Sequence, residues 1–157
     1  MIEILKDILP KILGYLTPFA IRWYYKPEKI DSMIKIRVRG QGEGIVYDCG
    51  ELAGARIWLE ISNLSPFAIE VDRLYGQVML GNKVGAFVYL RKVQLKPATE
   101  KEILIEMSFT EYQVQYIKQY KASQPSRVLL GGFVVSRVQS FELSRQIETN
   151  NVQFYAC

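Results

Sequence analysis

The stretch Ile61-Ser62-Asn63-Leu64-Ser65-Pro66-Phe67-Ala68-Ile69 decides the fold of this chain. It is an apolar strand that runs into an Asn-x-x-Pro-Phe turn and continues as a second strand with alternating apolar residues. Apolar and polar side chains that alternate with a period of two are typical of a half-buried strand. Four such strands follow one another over residues 55–109, which predicts a sheet built from consecutive antiparallel strands.

The alternation continues on both sides of this stretch. Strands are predicted over 33–39, 83–95, 103–109, 127–138 and 141–147, with a last apolar run at 152–155. The inward positions slip by one residue around Asp72-Arg73, which predicts a β-bulge, and Gly81-Asn82 predicts a tight hairpin. Tyrosines four residues apart predict one short helix near residues 110–122, with Thr110 as its cap. The sequence therefore predicts an all-β, antiparallel immunoglobulin/fibronectin III-like β-sandwich of seven to eight strands over residues 31–157.

Residues 1–30 have a different pattern and are predicted to form a separate N-terminal amphipathic helical segment. Apolar residues recur at helical spacing from Ile2 to Leu16. The apolar stretch over 12–21 is about half as long as the twenty residues that a membrane span needs. Acidic residues occupy the start, and no small-x-small cleavage site follows. We therefore expect neither a cleavable signal peptide nor a complete transmembrane span, and a protein that is either peripherally membrane-associated or cytoplasmic.

The candidate interface residues lie at the end of this segment. Arg22, Trp23, Tyr24, Tyr25 and Lys26 set aromatic rings beside cations, a composition typical of the boundary between a membrane and water. Two other interpretations stay open at this point: the helix caps one open end of the core, or it forms a contact with another subunit. The expected partners of residues 1–30 are thus a membrane surface, a protein assembly or a second copy of the chain.

The composition argues against most enzyme classes. The 157 residues contain no histidine, which removes the usual general base at neutral pH and every Ser-His or Cys-His pair. The two cysteines, Cys49 and Cys157, match no metal or redox spacing, and we expect two free thiols, with a mutual or intermolecular disulfide as the alternative. We expect no catalytic site, no metal, no cofactor and no small-molecule substrate.

Three segments carry a family resemblance: the strand, turn and strand over 59–71, the hairpin Tyr75-Gly76-Gln77-Val78-Met79-Leu80-Gly81-Asn82, and the strand Gly131-Gly132-Phe133-Val134-Val135. They are similar to the group 2 late-embryogenesis-abundant (LEA) proteins, also known as the water-stress and hypersensitive-response domain. Two positions depart from that family's pattern, since Leu64 replaces the first proline of its turn and residues 141–144 lack its closing Pro-Phe. The resemblance spans residues 33–147. It implies a fibronectin-like sandwich without catalytic residues, associated with stress tolerance and often placed behind an N-terminal hydrophobic segment.

The leading interpretation is a non-enzymatic binding or structural domain, held at a membrane surface or in a larger assembly by its N-terminal helix. One alternative is a subunit of a shell or filament, in which exposed strand edges pair between chains. A second alternative is a nucleic-acid binder that uses Lys35, Arg37, Arg39 and Arg56 on neighbouring outer strand faces. The net charge of +4 is too small to select among these partners.

Overall fold

Two β-sheets pack face to face in the computed structural model, which describes residues 17–122 and 125–157. Three helices lie in this part of the chain: α1 over 17–24, α2 at Pro27–Ser32 and α3 at Glu111–Tyr120. The ten strands of the same residues are β1 Ile34–Val38, β2 Ile45–Asp48, β3 Gly54–Asn63, β4 Ile69–Leu80, β5 Asn82–Tyr89, β6 Val93–Leu95, β7 Thr99–Ser108, β8 Ser126–Ser136, β9 Ser140–Thr149 and β10 Val152–Tyr155.

Each sheet is organised around one long strand. In the first sheet β7 pairs along one side of β3, while β1 and β2 pair with the two halves of its other side. In the second sheet β4 pairs with β8 on one side and with β5 and β6 on the other, and β9 adds to β8. All of these pairs are antiparallel, and β10 beside β2 is the one parallel pair among residues 17–122 and 125–157. The predicted all-β sandwich is therefore confirmed.

The strand count exceeds the predicted seven to eight for two physical reasons. Strand β2 has no alternation to detect, because Ile45, Val46 and Tyr47 are all buried. The single strand predicted over 83–95 is divided into β5 and β6, which pair with β4 on either side of its predicted bulge. That bulge is confirmed by a register shift between Asp72 and Tyr75, with Arg73 at a φ of 51°. A bulge bends the strand that carries it, so the partner strand breaks at the same level.

The core lies between the inward faces of β3, β4 and β8. Residues alternate between buried and partly exposed along the whole of β3, and its inward side chains Ile57, Leu59 and Ile61 are fully buried. The facing sheet contributes Val71 and Val134, which are fully buried as well. Burial of one such side chain contributes about 1.5–3 kcal/mol. The period-two pattern of the sequence thus identifies the residues that hold the two sheets together.

Tyr47 fills the core at the end of the sandwich opposite to α1. Its side chain is fully buried, and its ring stacks between Phe109 and Phe154 at centroid distances of 6.1 and 5.2 Å. The hydroxyl group lies 3.1 Å from the hydroxyl oxygen of Ser126. Burial raises the pKa of Tyr47 to about 12, despite the hydrogen bond to Ser126.

Tyr47→Phe is expected to reduce the loss of stability at alkaline pH. The unfolded chain ionises this phenol near its ordinary pKa of about 10, whereas the folded chain keeps it neutral until about 12. The stabilisation is therefore complete below pH 10 and is lost as the pH rises from 10 through 12, by about 2–3 kcal/mol in all. Urea unfolding of both chains across this window measures the difference. Free energies of unfolding that fall in parallel would contradict the prediction.

Candidate interface at the helical end

The turn at Asn63–Phe67 builds the end of the sandwich at which α1 and α2 lie, here called the helical end. The Asn63 side chain is fully buried, and its amide nitrogen lies 2.7, 3.3 and 3.1 Å from the carbonyl oxygens of Phe67, Leu95 and Lys96. Its amide oxygen accepts hydrogen bonds from the backbone N–H and the hydroxyl of Ser65, at 3.0 and 2.7 Å. One buried amide therefore joins the β3–β4 connection to the β6–β7 connection.

The two helices rest on this turn through apolar contacts. Ile21 and Tyr25 pack against the core, and the Tyr25 ring meets the Phe67 ring edge to face at a centroid distance of 4.9 Å. Ile30 of α2 is fully buried in the same core. The side-chain amide of Gln139, in the β8–β9 turn, donates to the backbone carbonyl of α1 at Arg22, 3.4 Å away. The last residues of the N-terminal segment are thus seated on the sandwich.

A bidentate ion pair holds α2 between β1 and β9. The Arg145 guanidinium donates to both carboxylate oxygens of Asp31, at 2.9 and 2.8 Å, and to the carbonyl oxygens of Asp31 and Ile34. Arg145 shares the inward side of β9 with the buried Leu143 and Ile147, which aims it at the open edge between the sheets. Two parallel charged hydrogen bonds of this kind are among the stronger polar contacts in proteins. They orient α2 and, with it, the helix that precedes it.

The five predicted interface residues lie on α1 or directly after it, but the structure does not present them as one face. Trp23 and Tyr24 are 70% and 58% exposed, whereas Tyr25 is half-buried against the core. Arg22 and Lys26 are exposed at the two ends of this group.

Phe19 joins the exposed aromatic residues, although the sequence analysis did not single it out. It is 71% exposed and lies four residues before Trp23, so the two rings share one face of α1. Ile21 and Tyr25 are offset by two residues and therefore occupy the opposite face, which packs on the sandwich. The i, i+4 spacing of Phe19 and Trp23 is the sequence signal that identifies the outward face.

A lysine from α2 supports this aromatic surface. The Lys29 ammonium lies 3.2 Å above the centre of the Tyr24 ring and 5.1 Å from that of Tyr25. A hydrogen bond from Lys29, assisted by its charge, lowers the pKa of Tyr24. Cation–π contacts at exposed sites contribute about 0.5–1 kcal/mol. The outward face therefore combines exposed rings with the cations Arg22, Lys26 and Lys29.

The outer face of the first sheet carries the cations of the nucleic-acid hypothesis, and acidic residues lie beside them. Arg37 contacts Glu60 at 2.6 Å, and Arg39 contacts Glu102 at 3.2 Å. The neighbouring Arg56 lies 5.6 Å from the centre of the Trp58 ring. Two of the four cations are thus already paired with carboxylates, which reduces the positive charge that this face offers to phosphate groups.

The two cysteines form a disulfide, which corrects the expectation of two free thiols. Cys49 and Cys157 are linked across a sequence separation of 108 residues, with their Cα atoms 5.0 Å apart. Cys49 directly follows Asp48, and Cys157 follows Tyr155 by two residues, just beyond the last pair of the parallel strands β2 and β10. The mutual disulfide, held open as the alternative in the sequence analysis, is therefore the arrangement found.

Three further sequence-based expectations concern metals, membrane spans and the N-terminal helix. Within 17–122 and 125–157, no three His, Cys, Asp or Glu side chains are grouped so that they could hold a metal ion. No helix in that part of the chain is long and apolar enough to cross a membrane. The amphipathic helix predicted from Ile2 to Leu16 lies outside the described residues.

Comparison with known proteins gives only distant likenesses to solved structures. No protein-family model matches the chain, and no curated protein matches it either. A protein from Archaeoglobus fulgidus is 13% identical with a TM-score of 0.40, over 74% of this chain and 95% of that one. A candidate ApaA protein from Bordetella pertussis is 11% identical with a TM-score of 0.43, over 72% and 85%. A candidate late embryogenesis abundant protein is 8% identical with a TM-score of 0.37, over 94% and 88%.

Proposed function

We propose that this chain is a non-enzymatic β-sandwich module held at a membrane surface by α1. The observation that carries the proposal is the outward face of α1, where Phe19 and Trp23 lie exposed while Ile21 and Tyr25 dock on the sandwich. Single exposed apolar residues are common on protein surfaces. A helix that presents tryptophan and tyrosine beside arginine and lysine has the composition of the headgroup region of a bilayer.

The sequence before α1 supports the same proposal. In the sequence, Leu9, Ile12, Leu13 and Leu16 recur at the separations of three and four residues that are typical of an amphipathic helix. Transfer of two large apolar side chains out of water contributes about 3–5 kcal/mol, and each nearby cation adds about 1 kcal/mol at an anionic surface. These magnitudes fit reversible, peripheral attachment.

Two observations bear on the biological setting of such a module. The resemblance to group 2 LEA proteins, which includes the turn at Asn63–Phe67, supports a role in tolerance of water stress. The disulfide between Cys49 and Cys157 supports an oxidising compartment, where such bonds form and persist. We include both in the proposal.

Vesicle flotation of the full chain tests the attachment. We expect the wild-type chain to float with the vesicles, and Phe19→Ala/Trp23→Ala to bind on the order of 100-fold more weakly, because two apolar side chains that would enter the membrane are lost. The matched control is Leu52→Ala/Tyr112→Ala, which removes two exposed apolar residues at the opposite end of the sandwich. The proposal would be overturned if the wild-type chain stayed in the fractions without vesicles. It would also be overturned if both double variants lost the same amount of vesicle binding.

A further inference from the structure

A cleft opens at the helical end. Its volume is about 680 Å³, and its apolar lining residues are Ala68, Ile69, Leu95 and Val135. Lys96, Lys101 and Arg137 line it as well. An apolar lining that also carries three cations is suited to a ligand that has an anionic group next to a hydrocarbon part.

The three cations reach this cleft from three different segments of the chain. Lys96 follows β6, where Asn63 holds its backbone carbonyl. Lys101 alternates with the buried Ile103 on β7, so it points to the inner side of the sheet, but it lies near the strand end and is exposed there. Arg137 is in the β8–β9 turn, which the Ser136 hydroxyl closes by accepting hydrogen bonds from the backbone N–H groups of Val138 and Gln139. The fold therefore sets the positions from which these side chains converge.

The positive charge of the cleft is not cancelled by nearby acids. Glu70 also lines the cleft, but its carboxylate is held by the Lys92 ammonium at 2.7 Å and the Gln94 amide at 3.2 Å. None of the six ion pairs found within the described ranges involves Lys96, Lys101 or Arg137. Three cations are thus available to an external anion.

We propose that this cleft binds the phosphate headgroup of an anionic membrane phospholipid while α1 lies in the same membrane surface. The inference rests on the proposed function and adds the lipid class to it. The β8–β9 turn that carries Arg137 also contacts α1, through the hydrogen bond from Gln139 to the Arg22 carbonyl. The cleft and the outward rings of α1 therefore belong to one end of the molecule. Charge complementarity selects an anionic headgroup over a zwitterionic one.

Vesicles of two compositions test the cleft. We expect the wild-type chain to prefer phosphatidylcholine vesicles that contain phosphatidylglycerol over vesicles of phosphatidylcholine alone, and we expect the three cleft cations to contribute on the order of 100-fold to this preference, at about fivefold per cation. Lys96→Gln/Lys101→Gln/Arg137→Gln should reduce the preference by that factor and should keep the share that Arg22, Lys26 and Lys29 add. The control Arg73→Gln/Arg91→Gln/Lys118→Gln, which removes the same charge from exposed positions outside the cleft, should keep most of it. A preference that is as large in the cleft variant as in this control overturns the inference, even where α1 still attaches the chain to neutral vesicles.

A soluble lipid separates this inference from the proposed function. Dihexanoyl phosphatidylglycerol below its micelle concentration should shift the backbone amide resonances of residues 68–70, 94–96 and 135–137 in the wild-type chain, and should shift them far less in the cleft variant. Inorganic phosphate at the same concentration should give much smaller shifts. Equal shifts with phosphate would overturn the lipid as the occupant, and the absence of shifts with either probe would overturn the site. Both readings hold whether or not α1 binds vesicles.

Discussion

Asn63→Asp is expected to destabilise the folded chain by about 4 kcal/mol or more at neutral pH, a large effect for one substitution. The substitution keeps the shape of the side chain but replaces the donating amide group with a carboxylate oxygen. That oxygen would face the carbonyl oxygens of Phe67, Leu95 and Lys96, which the amide now contacts. Each buried acceptor left without a donor costs about 1–3 kcal/mol, and a buried charge without a cation costs more.

The pH dependence of this variant gives the sharper test. Burial among carbonyl oxygens should raise the pKa of the introduced carboxyl above its ordinary value of about 3.9. The folded state then binds a proton that the unfolded state releases, so the variant should recover stability relative to wild type as the pH falls. Asn82→Asp, on the exposed hairpin between β4 and β5, is the matched control and should change the free energy of unfolding by less than about 0.5 kcal/mol. Urea unfolding measures both variants. If the free energy of unfolding of Asn63→Asp at neutral pH equals that of Asn82→Asp, the assigned role of Asn63 is contradicted.

Asn63 also illustrates how far a sequence pattern reaches. Local propensity is enough to predict its turn, because asparagine and proline favour turn conformations. Its partners Leu95 and Lys96 lie more than thirty residues further along the chain, and no local pattern contains them. The reason why an asparagine is required therefore becomes visible only in the assembled fold.

The interface residues show the same limit at shorter range. The composition of residues 22–26 identifies the segment, but a helix distributes neighbouring residues around its axis. Tyr25 consequently turns inward, and Phe19 takes a place beside Trp23. The cleft could not be predicted from the sequence, since Lys96, Lys101 and Arg137 line one cleft only because β6 and β8 end, and β7 begins, at the same end of the sandwich.

The partner strand of β10 and the disulfide could not be predicted from local patterns, because both depend on pairing between distant parts of the chain. The last apolar run of the chain predicts a strand without indicating its neighbour, and β2 shows no alternation. Only the parallel pairing of these two strands brings Cys49 within bonding distance of Cys157. The period-two pattern could therefore predict the sandwich, while the closure of its edge depended on contacts between distant parts of the chain.

Reduction of this disulfide is expected to lower the free energy of unfolding by about 3–5 kcal/mol. The bond closes a loop that spans most of the sandwich, across a sequence separation of 108 residues, so its loss releases a large amount of conformational freedom in the unfolded chain. Strand β10 should be affected first. It has four residues, is only partly buried, and among the described strands pairs with β2 alone.

Urea unfolding with and without a thiol reductant measures this effect, and hydrogen exchange of residues 152–155 localises it. The control is Cys49→Ser/Cys157→Ser, which should match the reduced wild-type chain and should not respond to reductant. Thiol titration should find no reactive thiol in the oxidised chain and two after reduction. A wild-type unfolding midpoint that stays constant in reductant, with both thiols free, would show that β10 holds its place through strand pairing and side-chain packing alone.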